Sequence, residues 1–504
     1  MAAPKPTWLD RTIGLLSPQR QLARTRARIA NAQLLRHYEG AAVGRRTQGW
    51  HRSGGDGNAV HSGATLAYLR NAARDLARNN RQIRQALRTI ANHTVGWGIV
   101  PKPYPMNARA VELWKAWAET TACDADGRNN IYGLQKLVMR SVARDGEMLV
   151  RRRTRRVEDG LPIPLQLQLL EADFLDTSKT VRLQNGNAII QGIEFDRLGR
   201  RVGYWLFQEH PGSSLSTSMS TLLGPSRRID ASEILHVYEA TDRAGQVRAA
   251  TWLAAMLLPA KDLDEYEDAQ LMKQKIAACL AVITSDEDNS GTPLGTANDT
   301  TTPGVDALEP GAILNVPPGR KIEVVQPPSV SDYTAYVTAQ DRKNAKGLGL
   351  SYEDYTGDYS NVNFSSARMA RIEHYENVYD WRWQLLVPQF CDPVWTWAMQ
   401  AAFLGEDTSP RAQWTAPPMP MIEPDKEGLA YLRNIRIGLI TWPEMVRERG
   451  YDPDEVLKEI QEWNAKFDAA EVVLDSDPRR ITQAGQQQSG NAATTDPSTP
   501  SASA

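Results

Sequence analysis

The segment ATWLAAMLLPAKDLDEYEDAQLMKQKIAACLAVI (residues 250–283) decides how the chain is organised. It is strongly helical apart from Pro259. A continuous helix of some 24 residues from position 260 would be about 36 Å long at 1.5 Å per residue. Its acids (Asp262, Asp264, Glu265, Glu267, Asp268) come early and its bases (Lys273, Lys275) late, which suits the helix dipole. Residues 284–330 are rich in Thr, Gly, Pro and Asp. Within them AILNV (312–316) and KIEVV (321–325) read as short strands flanking the turn PPGR. Helix returns over 331–347. The polar, aromatic loop LSYEDYTGDYSNVNF (350–364) follows, and Ser365 or Ser366 can cap a helix running past Trp381 and Trp383 to Pro388. Helix resumes after Pro393, and 424–466 reads as two helices around GLITWPEMVRERGYDP.

Upstream, the pattern is helical and then turns to strands. Residues 17–39 read as a helix that Ser17 can cap, and 40–62, rich in Gly, Arg and Ser, as a mobile linker. Helices are expected near 63–78 and 80–94. The second has Ile83, Ala86, Leu87, Ile90 and Ala91 on one face, with Gly96 and Gly98 to end it. Residues 107–122 carry Trp114 and Trp117 at i,i+3 as core anchors, and 131–144 give one more helix. EMLVRRR (147–153), PLQLQLLEA (164–172), NAIIQGIEF (187–195), RVGYWLFQ (201–208) and EILHVYEA (233–240) read as strands. DRLGR (196–200) forms a hairpin turn. The fold class is α+β, mainly helical. Beyond about 476 the composition is Gln, Ser, Thr, Ala, Pro and Gly, which reads as a disordered tail.

The 504 residues suffice for roughly two to four compact units of ~150 residues. No run approaches the ~20 apolar residues that span a bilayer, and the N-terminus carries no signal-peptide pattern, so an intracellular protein is expected. Cys123, Cys279 and Cys391 lie far apart and form no C-x-x-C pair, which predicts buried thiols in a reducing compartment. Net charge is -2, unevenly spread: residues 11–92 hold fifteen Arg, no Lys and three acids, so an acidic body follows a basic start. Such a start expects electrostatic partners, or a solvated or subunit-pairing surface.

Motifs for chemistry are missing. There is no G-x-x-x-x-G-K-[ST], G-x-S-x-G, H-E-x-x-H or G-x-G-x-x-G. The seven His residues have no metal-ligand spacing with Cys or with each other, and His236, in an apolar strand, reads as a hydrogen-bonded core histidine. DADGRNN (124–130) opens like a calcium loop but has Arg128 at its fifth position and no acid at its twelfth, so it reads as a turn. Asp145 and Glu147 look like alternating carboxylates on a strand edge, with no basis for naming them acid and base. No catalytic residue, metal or cofactor is expected.

In order along residues 20–465, a series of segments resembles the lambda-type phage portal family. They include RDLARNN (74–80), NHTVGWGIVP (92–101), the Trp114/Trp117 helix with CDADGR (123–128), YGLQKL (132–137), DGEMLVRRR (145–153) and LQLLEADFLDT (168–177). QGIEFDRLGRRVGYWLFQEHPG (191–212), ILHVY (234–238), DLDEYEDAQLMKQKIAAC (262–279) and LGLSYEDYTGDYSNVNFSSAR (348–368) continue it. Each piece alone is weak; their joint order is specific. The resemblance implies a virion protein at the capsid portal vertex, assembled in the host cytoplasm. It would form a homo-oligomeric ring, usually of twelve subunits. Its partners would be the terminase, the major capsid and scaffold proteins, head-completion proteins and double-stranded DNA held without sequence specificity. No enzymatic activity and no membrane are implied. The segments then map as an Arg-rich start (1–62), α+β wing (63–249), first stem helix (250–283), clip (284–330), second stem helix (331–348), tunnel loop (349–365), wing and crown helices (366–423), helical crown (424–475) and tail (476–504).

Within that frame Arg342, Lys343 and Lys346, on one short helix along the channel, are the candidates for phosphate contact. A solvated or subunit-pairing surface is the competing reading. Tyr352, Tyr355, Gly357, Tyr359 and Phe364 are candidates for a mobile constriction in the tunnel loop, against an ordinary connecting loop. Two other classes remain open: a ring-forming capsid or connector protein that conducts no DNA, and a metal-dependent DNA-processing enzyme.

Overall fold

The structure is a computed structural model that describes residues 55–213, 225–240, 242–278, 282–286, 320–324, 333–360, 362–403, 410–474, 477 and 479. The helix expected over 17–39, the strand over 312–316 and nearly all of the tail lie outside the described residues. Residues 57–60 make one helical turn, opened by Asp56 accepting from the Ala59 N–H.

The main body starts at His61. Ser62 accepts from the Thr65 N–H and opens α1 (Gly63–Asn79), which buries Leu66, Arg70 and Ala73 along one stripe. Asn80 ends α1 and starts α2 (Arg81–Val95) by accepting from the Ile83 N–H, so one polar residue makes the corner between two helices. The five residues expected on the inner face of α2 are all buried. After β1 (Val100–Tyr104), α3 (Ala108–Ala118) carries Trp114 and Trp117 into the core, where Trp117 Nε1 donates to the Leu165 carbonyl. The Asp124 carboxylate turns back on its own loop and accepts from the N–H groups of Asp126, Arg128 and Asn129, which makes a turn. α4 (Ile131–Asp145) then ends at Gly146, at φ 92, where the chain reverses into β2 (Glu147–Thr154).

β2 is the central strand of a three-stranded antiparallel sheet, between β3 (Leu165–Glu171) and β9 (Ile234–Tyr238). Period-two burial holds over Leu165 and Leu167 and then breaks, because Leu169 packs toward the main core and Leu170 toward a second, smaller core. The sheet is covered on both faces, so alternation loses its meaning there. The second core, around Leu149, Leu175, Ile193, Tyr204, Leu206 and Val247, lies between this sheet and an antiparallel meander. Its strands are β4 (Val181–Arg182), β5 (Ala188–Ile190), β6 (Ile193–Phe195), β7 (Arg201–Leu206) and β8 (Arg227–Asp230). The hairpin over DRLGR forms, with Asp196 accepting from the N–H groups of Leu198 and Arg200. NAIIQGIEF is two strands rather than one: Gln191 (φ 49) and Gly192 (φ 82) make a tight two-residue hairpin turn between β5 and β6.

α5 (Leu257–Ala278) is the long helix, starting inside the segment read as helical and three residues before position 260. Pro259 lies in its first turn, where a missing N–H costs nothing. The chain enters β10 (Val282–Asp286), which overlaps the expected end of the helix. β10 pairs antiparallel with β11 (Arg320–Val324), the strand expected over KIEVV, while the strand expected across the PPGR turn lies outside the described residues. α6 (Tyr333–Gly347) packs beside α5 through Tyr266, whose ring centroid is 4.9 Å from Tyr336 and 6.0 Å from Tyr333.

The expected loop over 350–364 contains a short helix, α7 (Tyr352–Thr356), capped by Ser351. α8 (Phe364–Asp380) follows, and helix does not stop at Pro388: it runs on through wide π-type turns over Trp381–Cys391 into α9 (Asp392–Ala402). Burial of Trp381, Leu385, Leu386 and Phe390, each worth about 1.5–3 kcal/mol, outweighs the ~3 kcal/mol cost of a proline inside a helix. β12 (Arg411–Thr415) returns to pair with β1, a contact that neither strand announced in sequence. The last segment has three helices rather than two: α10 (Pro424–Arg436), α11 (Trp442–Glu448) and α12 (Pro453–Ala469).

Candidate functional site

α6 has two different sides. Asp341, Asn344 and Ala345 are buried, while Arg342, Lys343 and Lys346 are exposed. Positions 342, 343 and 346 fall within an arc of about 100° on a helix, so one solvent-facing surface carries all three cations. Arg342 lies over the Tyr352 ring, 5.4 Å from its centroid, and Lys346 pairs with the exposed carboxylate of Glu373. Such contacts on an exposed surface leave the charges available to a polyanion.

The residues singled out in the following loop differ in their exposure. Tyr352 is half-buried and its hydroxyl donates to Asp358 at 3.4 Å. Tyr355 is only 3% exposed and belongs to the main core, so it anchors α7 instead of offering a surface. Burial also pushes its hydroxyl pKa above the ordinary tyrosine value. Gly357 ends α7 at φ 76, Tyr359 is exposed, and Phe364 opens α8 with its side chain outside the described residues.

A second group of charges is structural. Glu147, the first residue of β2, is fully buried and accepts from Arg248 and from Arg70, with His236 Nε2 at 2.9 Å. Burial opposes its ionisation, but the Arg248 charge and the hydrogen bonds from His236 and Arg248 prevail and hold the carboxyl far below its usual range. One turn along α1, Arg74 binds both oxygens of Asp145 (3.1 and 3.0 Å) and reaches Asp173 and Glu171 at 2.7 and 3.2 Å. Asp145 ends a helix and Glu147 starts a strand, so they are not neighbours on one strand edge. Each is saturated by guanidinium groups, which fits locking α1, α4 and β2 together. The core histidine expected at 236 is found as read. Cys123 and Cys391 are buried free thiols; burial pushes Cys123 up to about 12, and Cys279 lies outside the described residues.

Two groups of donors were invisible to spacing because their members come from distant parts of the chain. Glu171, Asp173 and His210 converge, as do His93, Asp354 and His374. The first is already occupied by Arg74 and Arg70. In the second, His93 Nδ1 and His374 Nε2 are 2.8 Å apart. The neighbouring buried guanidinium of Arg382 donates to the carbonyls of His93, Thr94 and Pro417, closing the C-terminus of α2. Among the described residues no helix is long and apolar enough to cross a membrane.

Comparison with known proteins is consistent in direction. The profile of the family described as "Phage portal protein, lambda family" matches residues 43–382. A "Probable portal protein" of Halomonas phage phiHAP-1 is 26% identical over 425 residues, covering 79% of this chain and 80% of that relative. Among solved structures, a chain from the virion of a native gene transfer agent particle aligns with a TM-score of 0.45 at 14% identity, over 79% of this chain and 99% of that one. A chain from the neck of the native particle, computed with C12 symmetry, aligns with a TM-score of 0.44 at 13% identity, over 76% and 94%. An HK97 family phage portal protein from Corynebacterium diphtheriae gives 0.34 at 8% identity, over 68% and 94%.

Proposed function

The chain belongs to the lambda family of phage portal proteins, and from that premise we propose that its copies close into a ring whose bore passes duplex DNA without gripping it. Membership in the family makes it a structural component of the virion rather than a catalyst. The family match carries the reading, because it spans residues 43–382 and so takes in both long helices and everything between them.

Several features support the finer layout. α5 leads out of the α+β body, β10 and β11 pair between the two helices, and α6 returns against α5 through Tyr266. This is the sequence of elements expected of a stem, a clip and a second stem helix, with residues 63–249 as wing and 424–475 as crown. The clip then begins at β10, a little before residue 284. α10 buries no residue of its own, and α12 leaves Leu457, Ile460 and Trp463 exposed, apolar surface of the kind a neighbouring subunit covers. A closed ring needs two different faces that match head to tail.

Mechanistically, the duplex must slide, so its phosphates must be met weakly and without base readout. Arg342, Lys343 and Lys346 on the outer side of α6 suit that role as sparse cations on the acidic body that follows the basic start. Tyr352, Gly357 and Tyr359 form the candidate constriction beside them, with Tyr355 as its anchor and Phe364 as its far boundary. The terminase, head-completion proteins, major capsid and scaffold proteins are the proposed partners, and twelve the proposed subunit number.

Electron microscopy of the purified chain tests the ring. Annular particles with an axial opening wide enough for a double helix are expected. A stable monomer at high concentration, or a closed particle with no such opening, overturns the reading.

A further inference from the structure

We infer that His93, Asp354 and His374 form a binding site for a divalent transition-metal ion, of which Zn2+ is the best fit, that clamps α7 to α2 and α8. The site is argued from its donors alone and does not depend on the ring. His93 comes from the last turn of α2, Asp354 from α7 and His374 from the middle of α8. One donor atom from each lies within 4.8 Å of the others.

The hydrogen bonding around His374 sets its tautomer. Its Nδ1 is 3.0 Å from the Gly349 carbonyl, which can only accept, so Nδ1 carries the proton. The Nε2 lone pair of the neutral ring then points at the cluster. A ring N–H tied to a main-chain carbonyl, with the other nitrogen directed at a shared point, is how metal-binding histidines are oriented. The same carbonyl accepts from Asn377 Nδ2 at 2.9 Å, which fixes its direction. Asp354 is held in turn by Ser351, whose hydroxyl donates to its Oδ2 at 2.9 Å. His374 is buried, while His93 and Asp354 are half-buried, so an ion has a route in.

Two imidazole nitrogens and one carboxylate oxygen make a donor set suited to Zn2+, with a fourth position for water. In tetrahedral geometry with Zn–N bonds of about 2.0–2.1 Å the ring nitrogens sit roughly 3.3 Å apart. The observed 2.8 Å is a direct hydrogen bond, in which His93 Nδ1–H donates to His374 Nε2. Metal entry replaces that proton with the ion, moves it to His93 Nε2, and parts the rings by a few tenths of an ångström.

The competing cluster of Glu171, Asp173 and His210 shows why the choice falls here. Guanidinium nitrogens of Arg70 and Arg74 already lie 2.7–3.2 Å from its carboxylates, so a cation is in place. Near His93 the two guanidiniums are turned to other partners: Arg382 to three main-chain carbonyls and Arg371 to the Tyr375 hydroxyl.

The test uses the full chain without a histidine tag, stripped with chelator and then titrated with Zn2+ and, separately, Co2+. The wild type is expected to take up one ion per chain, to show the visible absorption of tetrahedral N/O-bound Co2+, and to melt at higher temperature with Zn2+. His93→Gln and Asp354→Asn should each weaken uptake by about 10-fold or more, while His210→Gln should leave it unchanged. Circular dichroism of each variant establishes that it is folded, and the wild-type stoichiometry stands whether or not a variant folds. Wild-type chain that takes up no stoichiometric Zn2+ in the tens of micromolar, or uptake that both folded variants retain, shows only a hydrogen-bonded histidine pair and overturns the proposal.

Discussion

The Nε of Arg248 donates to both carboxylate oxygens of Glu147, at 2.9 and 2.8 Å, and neither side chain reaches solvent. The two residues are 101 positions apart, and the pair joins the start of β2 to the segment leading into α5. Breaking such a pair from one side strands a buried charge. Glu147→Ala should therefore cost about 3–5 kcal/mol, whereas replacing Glu147 and Arg248 together with apolar residues of similar size should recover most of that loss. Denaturation of the single and double variants measures it, and equal losses in both would show that the charges themselves are not what matters.

The same pair makes a pH prediction. Glu147 has its folded-state pKa depressed below the ordinary 4.5, so its contribution is fully present above that value and is lost as pH falls below it. Asp173, depressed by Arg70 and Arg74 against the cost of burial, acts in the same direction. The stability these two carboxylates supply should hold from neutral pH to about 5 and fall below 4. Glu147→Gln should flatten the acid limb, as followed by melting temperature against pH.

Asp341 should behave in the opposite sense. It is buried on the inner side of α6, its Oδ1 finds no hydrogen-bond donor among the described residues, and burial with the nearby Glu267 charge raises its pKa to about 6. A carboxyl with a raised folded-state pKa is most favourable when protonated, so stability is lost as pH rises from 3.8 through 6. Asp341→Asn should gain about 2 kcal/mol at neutral pH and nothing at pH 4. A neutral-pH melt of the variant at or below wild type would contradict this.

Changing Arg342, Lys343 and Lys346 together to Ala should leave folding and rings intact, because the surface contacts of Arg342 and Lys346 are worth ~0–1 kcal/mol each. DNA packaging or retention should fall, and so should the salt dependence of DNA binding. Normal packaging by the triple variant would remove the phosphate role.

Gly146→Ala should be among the most damaging small substitutions. Gly146 sits at φ 92, and an added Cβ would come 2.5 Å from the Ala250 carbonyl carbon, which is main chain and cannot step aside. Left-handed backbone alone costs about 1–2 kcal/mol, and the clash adds to it. A loss above ~2 kcal/mol in chemical denaturation is expected.

Local pattern was enough wherever one face of one element meets the core. The apolar positions of α2, its end at Gly96, and the turn over DRLGR all follow from residues within a few positions of each other. The same pattern misled where a helix was held by something distant. Pro388 reads as a stop, yet the packing of Leu385, Leu386 and Phe390 carries the helix through it. KIEVV announced a strand but not its partner, because 33 residues separate β10 from β11. Of the candidate surface, the exposed cations of α6 were readable, but the burial of Tyr355 was not.

Sequence alone determined the class of the molecule, its succession of helices and strands, and, through segments in a shared order, its family. Those depend on propensity, periodicity and motif order, which act along the chain. Tertiary structure alone decided that Glu147 meets Arg248, that β1 pairs with β12, and that His93 and His374, 281 residues apart, share a hydrogen bond. Contacts of that kind are set by the packing of already formed elements, and no local signal encodes which distant face will be opposite.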